Sequence, residues 1–272
     1  MKYLSLKKIS KLKKLIHKSK FKVIKYNKFA EDYHNKRRRP WRDFESYLDK
    51  LKGKGLIIKG TIIDIGCANG RNFEIFKDSQ NRLIGIDNSI EFLDIAKTQL
   101  QEKDIAAKEQ KKIQLVLADM NHLPLRPTNK VDGVFSIASL HHIKSKSKRH
   151  HVINQLFNLL KPEGFLIITL WRRWQKRFLT HFLKDWIKRK LKPNYQRMQS
   201  DKGLPQFGDI FVPWHVSSEN ITINRFYHLF SLSELENLLG DLFCIEDLEK
   251  TGGPTEKDNL FVFAQKEKVK EK

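Results

Sequence analysis

A β-branched run that breaks into a glycine turn sets the architecture this chain can adopt. Thr61 to Ile65 reads as a short strand, and Gly66-Cys67-Ala68-Asn69-Gly70 follows at once. Glycine is needed there because the backbone turns tightly from strand into helix and a ligand must approach it closely. The same texture repeats downstream. Arg82 to Ile86, Ile113 to Leu117, Val131 to Ile137 and Phe165 to Leu170 read as further strands, with helical stretches such as Ile90 to Glu102 and His150 to Leu160 between them. Strands that alternate with helices imply a parallel sheet joined by right-handed crossovers. Phe243 to Leu248 and Asn259 to Gln265 read as a terminal strand pair, joined through the turn-rich Thr251 to Pro254. At 272 residues the chain has room for one substantial α/β domain with additions, or at most two small ones.

Two segments depart from the alternation. Residues 103–112 are a charged connection. Residues 172–206 form a basic insertion in which Trp174, Phe178, Phe182, Trp186 and Leu191 recur at near-helical spacing among Arg172, Arg173, Lys176, Arg177, Lys184, Lys188, Arg189, Lys190 and Lys192. A helix with one aromatic face and many cations would pack on the domain while presenting charge to phosphates. Ahead of everything, residues 1–25 are a lysine-rich prefix with Leu4, Ile9, Leu12 and Ile16 at roughly helical spacing. It reads either as a basic amphipathic helix on RNA or anionic lipid, or as a solvated tail. The expected organisation is therefore a basic extension over 1–25 and one domain over 26–272, interrupted by the insertion at 172–206.

Charge narrows the partners. The 53 Lys and Arg outweigh the 31 Asp and Glu, a net +22. Such a field favours polyanions, nucleic acid ahead of an acidic membrane surface; an adaptation for solubility alone is the bland alternative. Cys67 and Cys244 have no metal-ligand spacing and make no disulfide framework, so no metal is expected and a reducing compartment is. No apolar run approaches the roughly 20 residues that span a bilayer. The N-terminus lacks the apolar core and cleavage site of a signal peptide. A cytoplasmic location is the expectation.

A glycine turn alone also serves dinucleotide enzymes. Here it comes with Asp87, 23 positions after Asp64 and just past the second strand, where an acid can accept from both hydroxyls of a ribose. Ala118-Asp119-Met120 closes the third strand, where a carboxylate can take an adenine amino group and a neighbour can pack on the ring. Leu160-Lys161-Pro162-Glu163-Gly164 turns into the fifth. In this order the set resembles the class I methyltransferases over about residues 55–170, with Ala68 standing where glycine is usual. The third glycine of the dinucleotide pattern is absent, which argues against a nicotinamide dehydrogenase. The resemblance implies a Rossmann-like, mostly parallel seven-stranded sheet with helices on both faces and a C-terminal antiparallel strand. It also implies S-adenosylmethionine as cofactor, held by Tyr26, Asp64, Gly66, Cys67, Gly70, Asp87, Asn88, Asp119, Met120 and Ser136. Plainer readings are that Asp64 caps the turn, Cys67 is a small buried spacer and Asp119 is a helix cap.

Further motifs flank this core: Tyr26-Asn27, Ala30 and Tyr33, then Lys36-Arg37 and Pro40-Trp41, before the first strand, and His141-His142 after the fourth. Trp171, Phe211 to His215, and Arg225-Phe226-Tyr227-His228 come later. Together they resemble the tRNA wobble-uridine carboxymethyl methyltransferases, including the methyltransferase half of the AlkB-like tRNA enzyme, over about residues 24–172 and 207–265. Lys36 stands where that family usually has threonine. The resemblance implies methyl transfer to the carboxylate of 5-carboxymethyluridine, giving the methyl ester. A carboxylate is already deprotonated at neutral pH, so the reaction needs alignment rather than a base. Arg37 and Arg225 are the expected carboxylate grips and His141 the expected orienting group. Trp41, His142, Trp171, Trp214 and His228 are the expected substrate contacts, with core packing or strand capping as the alternative for the tryptophans and histidines. The family also implies a small zinc-binding activator as partner, for which the apolar third strand at the sheet edge is a candidate face. Two other readings stay open: a methyltransferase for a quinone or lipid precursor at a membrane surface, and an RNA-binding protein without turnover.

Overall fold

The computed structural model describes residues 29–76, 81–102, 113–126, 130–240 and 242–267; the prefix at 1–25, Tyr26 and the charged connection at 103–112 lie outside the described residues. The chain runs α1 (Ala30–Lys36), α2 (Arg42–Gly53), β1 (Thr61–Ile65), a 3-10 helix (Arg71–Phe76), β2 (Arg82–Asp87), α3 (Ile90–Glu102), β3 (Ile113–Leu117), β4 (Val131–Ile137), α4 (Lys146–Leu159) and β5 (Leu160–Trp171). It continues through α5 (Leu179–Leu191), α6 (Tyr195–Asp201), β6 (Asp209–Val216), β7 (Ile221–His228), α7 (Leu232–Leu239), β8 (Phe243–Thr251) and β9 (Asn259–Lys266). Seven strands form one sheet in the order β3-β2-β1-β4-β5-β9-β8. Strands β1 to β5 pair in parallel, and β9 runs antiparallel to both β5 and β8. The expected architecture is present, with β3 at one edge.

The strands are near-continuous apolar runs because both faces of the sheet are covered. Alternation still divides them. Leu166, Ile168 and Leu170 of β5, with Leu260, Val262 and Ala264 of β9, join the core that buries Ile153 and Leu156 of α4 and Leu235 and Leu239 of α7. The intervening Phe165, Ile167, Phe261 and Phe263 join the opposite core with Phe44, Tyr47, Leu48 and Leu51, an i, i+3, i+4, i+7 stripe on α2. Gly133 makes room in that second core: a Cβ there would stand 2.1 Å from the Phe165 ring.

A second sheet, the antiparallel pair β6–β7, covers the carboxyl ends of the parallel strands together with α1. Asp32 ties the two. It accepts from Trp214 Nε1 (2.8 Å), from the Ser217 backbone N–H (3.1 Å) and from Lys36 Nζ (2.7 Å). Lys36 also donates to the His215 carbonyl at 2.9 Å and so joins this strap.

The insertion packs differently from expectation. Phe178 and Phe182 join Trp171, Trp174 and Phe207 in a separate core, but Trp186 and Leu191 turn to solvent. The inner positions after Phe182 go to Asp185 and Arg189. Arg189 donates to Asp185 at 2.7 Å and to the carbonyls of Leu204, Pro205 and Gln206, holding the return segment against the helix. No helix among the described residues is long and apolar enough to cross a membrane.

Gly133→Ala is expected to destabilise the protein by about 1–3 kcal/mol through overpacking against Phe165. Urea denaturation followed by circular dichroism checks this, and an unchanged midpoint would mean that the Phe165 ring has room to move.

Candidate active site

The parallel strands reverse their direction of succession between β1 and β4, and ligands of open α/β sheets settle at such a point, beyond the carboxyl ends. A cavity with about 880 Å3 of empty space lies there, walled by the turns that leave β1, β2, β3 and β4. The turn after β1 is held by backbone bonds: Gly66 N–H and Cys67 N–H both donate to the Ile86 carbonyl, at 2.7 and 3.1 Å. Gly66 has φ 75° and Gly70 φ 70°. Ala68, between them, sits at φ 49°. A non-glycine residue there carries about 1–2 kcal/mol of strain. Its N–H donates to Asp87 Oδ2 (2.9 Å), which helps to hold it.

Asp87 is the organising group. Its Oδ1 accepts from Ser89 N–H at 2.9 Å. Burial pushes the carboxyl's pKa up, and the N–H groups of Ser89, Ala68 and Asn88 pull it part of the way back. A carboxylate has about four acceptor sites, so with three N–H partners it keeps acceptor capacity for a ribose hydroxyl. Ile86, Phe92, Ala118 and Met120 give the cavity its apolar wall. Asp64 lies outside the lining, buried, with Oδ1 lacking a hydrogen-bond partner among the described residues. Burial raises its carboxyl to about 7; the Asp87 carboxylate adds to the rise and Arg71 opposes it. Cys67 lines the cavity as a small buried residue. Burial first, then the Asp87 and Asp64 charges, push its thiol upward, away from nucleophile character.

Gly66, Cys67, Asp87, Asn88 and Met120 thus meet in one wall, while four other residues do not. Gly70 turns the backbone against Phe73 and Ala96. Asp119 is exposed between the lining residues Ala118 and Met120, and its Oδ1 caps the following 3-10 helix through Asn121 N–H (2.8 Å). Asp64 stands behind the lining. Ser136 is buried within β4; past the strand end Ser139 takes its place, donating to the carbonyls of Gly66 (3.2 Å) and Ile137 (2.9 Å). Tyr33, a motif residue expected to close over the cofactor or pack the N-terminal helix, lines the cavity; Arg71 and Asn72 also line it and were not expected, their place directly after Gly70 being the one hint available.

A larger groove adjoins the cavity, with about 2260 Å3 of empty space, and Tyr33, Arg71, Ala138, His142 and Arg225 line both. The groove gathers Arg37, Trp41, His141, Trp171 and Trp214 as well. Asn69 Nδ2 donates to the Arg37 carbonyl (3.0 Å) and Asn72 Oδ1 accepts from Trp41 N–H (3.2 Å), so residues 37–41 hang from the glycine turn. Arg225 is stacked among aromatic faces, 4.5 Å from Trp214, 5.1 Å from Tyr227 and 5.7 Å from Phe29, and its Nε is buried with no hydrogen-bond partner among the described residues. Tyr227 stacks on Trp171 at 4.5 Å, nearly parallel. Eight cations line the groove (Lys36, Arg37, Arg38, Arg39, Arg42, Arg71, Arg177, Arg225) against Asp43 and Asp258, both already accepting backbone N–H bonds. The groove is therefore strongly positive.

Both histidines of the pair are buried there. Burial lowers His141 well below the usual range, helped by His142 and Arg225, and lowers His142 to about 4. Both rings are neutral at physiological pH. His142 Nδ1 faces the Phe226 carbonyl at 3.0 Å, which fixes its tautomer. His228 is a correction: it lies outside the groove, fully buried, clamped between Asp209 (2.7 Å) and Glu234 (2.6 Å). Burial alone would raise the Glu234 carboxyl, but His228, Arg173 and Arg149 outweigh it and hold it below the ordinary range. This residue supports β7 and makes no contact with the groove.

A parallel sheet with one antiparallel strand beside β5, a glycine turn and an acid at the end of β2 are the arrangement of class I S-adenosylmethionine-dependent methyltransferases. Residues 63–168 match the family described as "Methyltransferase domain", and the chain is a methyltransferase that uses this cofactor. A Schizosaccharomyces pombe tRNA (carboxymethyluridine(34)-5-O)-methyltransferase is 26% identical, over 89% of this chain and 94% of that one. Against other relatives of the same name the chain spans less than half of the relative's length. Among solved structures, a Methanosarcina mazei methyltransferase superposes with a TM-score of 0.62 at 20% identity, covering 80% of this chain and 98% of that one. A Haloferax volcanii putative methyltransferase, solved in complex with the Trm112 methyltransferase activator, superposes at 0.55 and 14% identity, covering 91% and 98%.

The residues present fit the cofactor: an apolar slot, an acid in the wall with acceptor capacity left for a ribose, and a buried carboxyl at Asp64 whose Oδ1 has no partner among the described residues. With the Asp64 carboxyl near 7, neutral below and charged above, cationic S-adenosylmethionine is expected to bind more tightly as pH rises from about 6 to about 8. Asp64→Asn should flatten that profile. Titration calorimetry at a series of pH values measures both; affinity that falls as pH rises would contradict the assignment.

Proposed function

We propose that the chain esterifies the carboxylate of 5-carboxymethyluridine at the wobble position of tRNA. The observation that carries this reading is Arg225 at the junction of the two cavities, with a buried, unpaired Nε among aromatic faces. A guanidinium so placed can grip a planar carboxylate bidentately beside the methyl donor. The relatives named for this reaction support the same substrate. A small-molecule acceptor is disfavoured by a groove with eight cations, which suits the phosphate scaffold of an anticodon loop.

S-adenosylmethionine supplies an electrophilic methyl group on a sulfonium. Asp87 would accept from the ribose, Met120 and Ala118 would pack on the adenine, and the Gly66 turn would let the backbone approach. Asp64, once charged, balances the cofactor's positive charge from behind the wall. Arg225 would hold the carboxylate with one oxygen toward the methyl and the other on the guanidinium; the first oxygen would gain the methyl as the carbon–sulfur bond breaks, with S-adenosylhomocysteine as the leaving product. No base is required, and the neutral His141 and His142 leave no imidazolium in the junction to compete for the carboxylate. Trp171 and Tyr227 offer a stacking face for a splayed base, and Arg37 with its neighbours takes phosphates. Rate comes from alignment and from the removal of water around opposite charges. The tRNA substrate makes a cytoplasmic location the expected one. A small activator protein is the expected partner, with edge strand β3 as the face for it.

Protein with labelled S-adenosylmethionine and tRNA carrying 5-carboxymethyluridine, with and without an activator, is expected to give label on the wobble nucleoside that mild alkali releases. Arg225→Ala is expected to lower kcat/KM about 10–100-fold, the loss of a charge-assisted contact. Alkali-stable label would contradict the ester, and an unaffected Arg225→Ala variant would contradict the grip.

A further inference from the structure

Helix α5 carries apolar side chains that are exposed among the described residues. Leu179, Leu183, Trp186, Ile187 and Leu191 are 42%, 44%, 44%, 45% and 74% exposed. Their spacing of four, three, one and four residues places them on one side of the helix. Phe182, Asp185 and Arg189 occupy the inner side and pack on the domain. The stripe is flanked by cations: Lys184 and Lys188 stand beside it, and Lys190 lies over the Trp186 ring at 4.1 Å. The helix has one acid, Asp185, and it is buried against Arg189.

We infer that α5 docks the protein on an anionic lipid surface. Charge selects the occupant. A second copy would bring the same lysines against these, and residues 1–28 contain eleven lysines and no acid, so neither fits the rim. Nucleic acid would meet the lysines but leave five aliphatic and aromatic side chains against polar phosphate. A helix surface is a convex ridge, which a fluid interface accepts without a matching groove. Aliphatic residues entering the acyl boundary, a tryptophan at headgroup level and lysines on the phosphates are the features of an interfacial helix. Here the helix is already folded on a domain, so binding does not carry the cost of ordering it. This inference is independent of the tRNA substrate.

Sedimentation of the full chain with vesicles tests it. Binding is expected to vesicles of phosphatidylcholine with phosphatidylserine and not to phosphatidylcholine alone, and to weaken with added salt. The combined substitutions Leu183→Ser, Trp186→Ser and Ile187→Ser are expected to lower affinity by about tenfold or more while cofactor binding is retained, as the side chains are exposed. Lys184→Glu with Lys188→Glu, which leaves the stripe intact, is expected to abolish binding to the anionic vesicles. Failure of the wild-type protein to sediment would overturn the inference. So would equal binding by the serine variant, since attraction would then come from charge elsewhere, or a stripe-dependent dimer in solution.

Discussion

The Asp87 carboxylate fixes the geometry on which the site depends. It accepts from Ala68 on the turn after β1 and from Ser89 on the turn after β2. Two adjacent strand ends are thereby locked together, and a left-handed Ala68 is held in a conformation that an alanine does not favour. The carboxylate is buried, so its hydrogen bonds act in a low local dielectric and are correspondingly strong. Asp87 also lines the cavity, so the group that shapes the turn is the one that the proposed function assigns to the ribose of the cofactor.

A second layer builds on this turn. Asn69 and Asn72, both within or just past the glycine loop, suspend residues 37–41 and bring Arg37 and Trp41 over the groove. Asp32 straps α1 to the β6–β7 hairpin, and the hairpin carries Arg225 to the junction. His228, gripped by Asp209 and Glu234, anchors the end of β7. The cofactor cavity and the groove are therefore mechanically coupled: the loop that walls one also holds the rim of the other.

The parallel sheet was legible because buried strands read as apolar runs between turns, and β1 to β5 and the β8–β9 pair stand where those runs lie. The β6–β7 hairpin was recognised only as motifs, since Pro213 and the mixed polar composition of Asp209–Val216 mask the alternation. Period two also explains the error at His228. Along β7, Arg225 and Tyr227 face the groove, so Phe226 and His228 face away, and a motif read as a block hid that parity. Ser136 failed in the same way, lying inside β4 while Ser139 lies beyond its end. In α5 the near-helical aromatic spacing was real, but Asp185 and Arg189 claimed the inner face and left Trp186 outside. The hydrogen-bond partners of Asp185 and Arg189, invisible in one sequence, decided the packing of α5.

In the proposed function, the Arg225 guanidinium reads a carboxylate at the junction of the two cavities. The direct measurement is equilibrium binding, with S-adenosylhomocysteine present, of anticodon stem-loops bearing either 5-carboxymethyluridine or its uncharged amide, to wild-type protein and to Arg225→Ala. Wild type is expected to prefer the carboxylate by about tenfold or more, as a charge-assisted pair should, and the preference is expected to disappear in the variant. A preference of equal size in both proteins would contradict it.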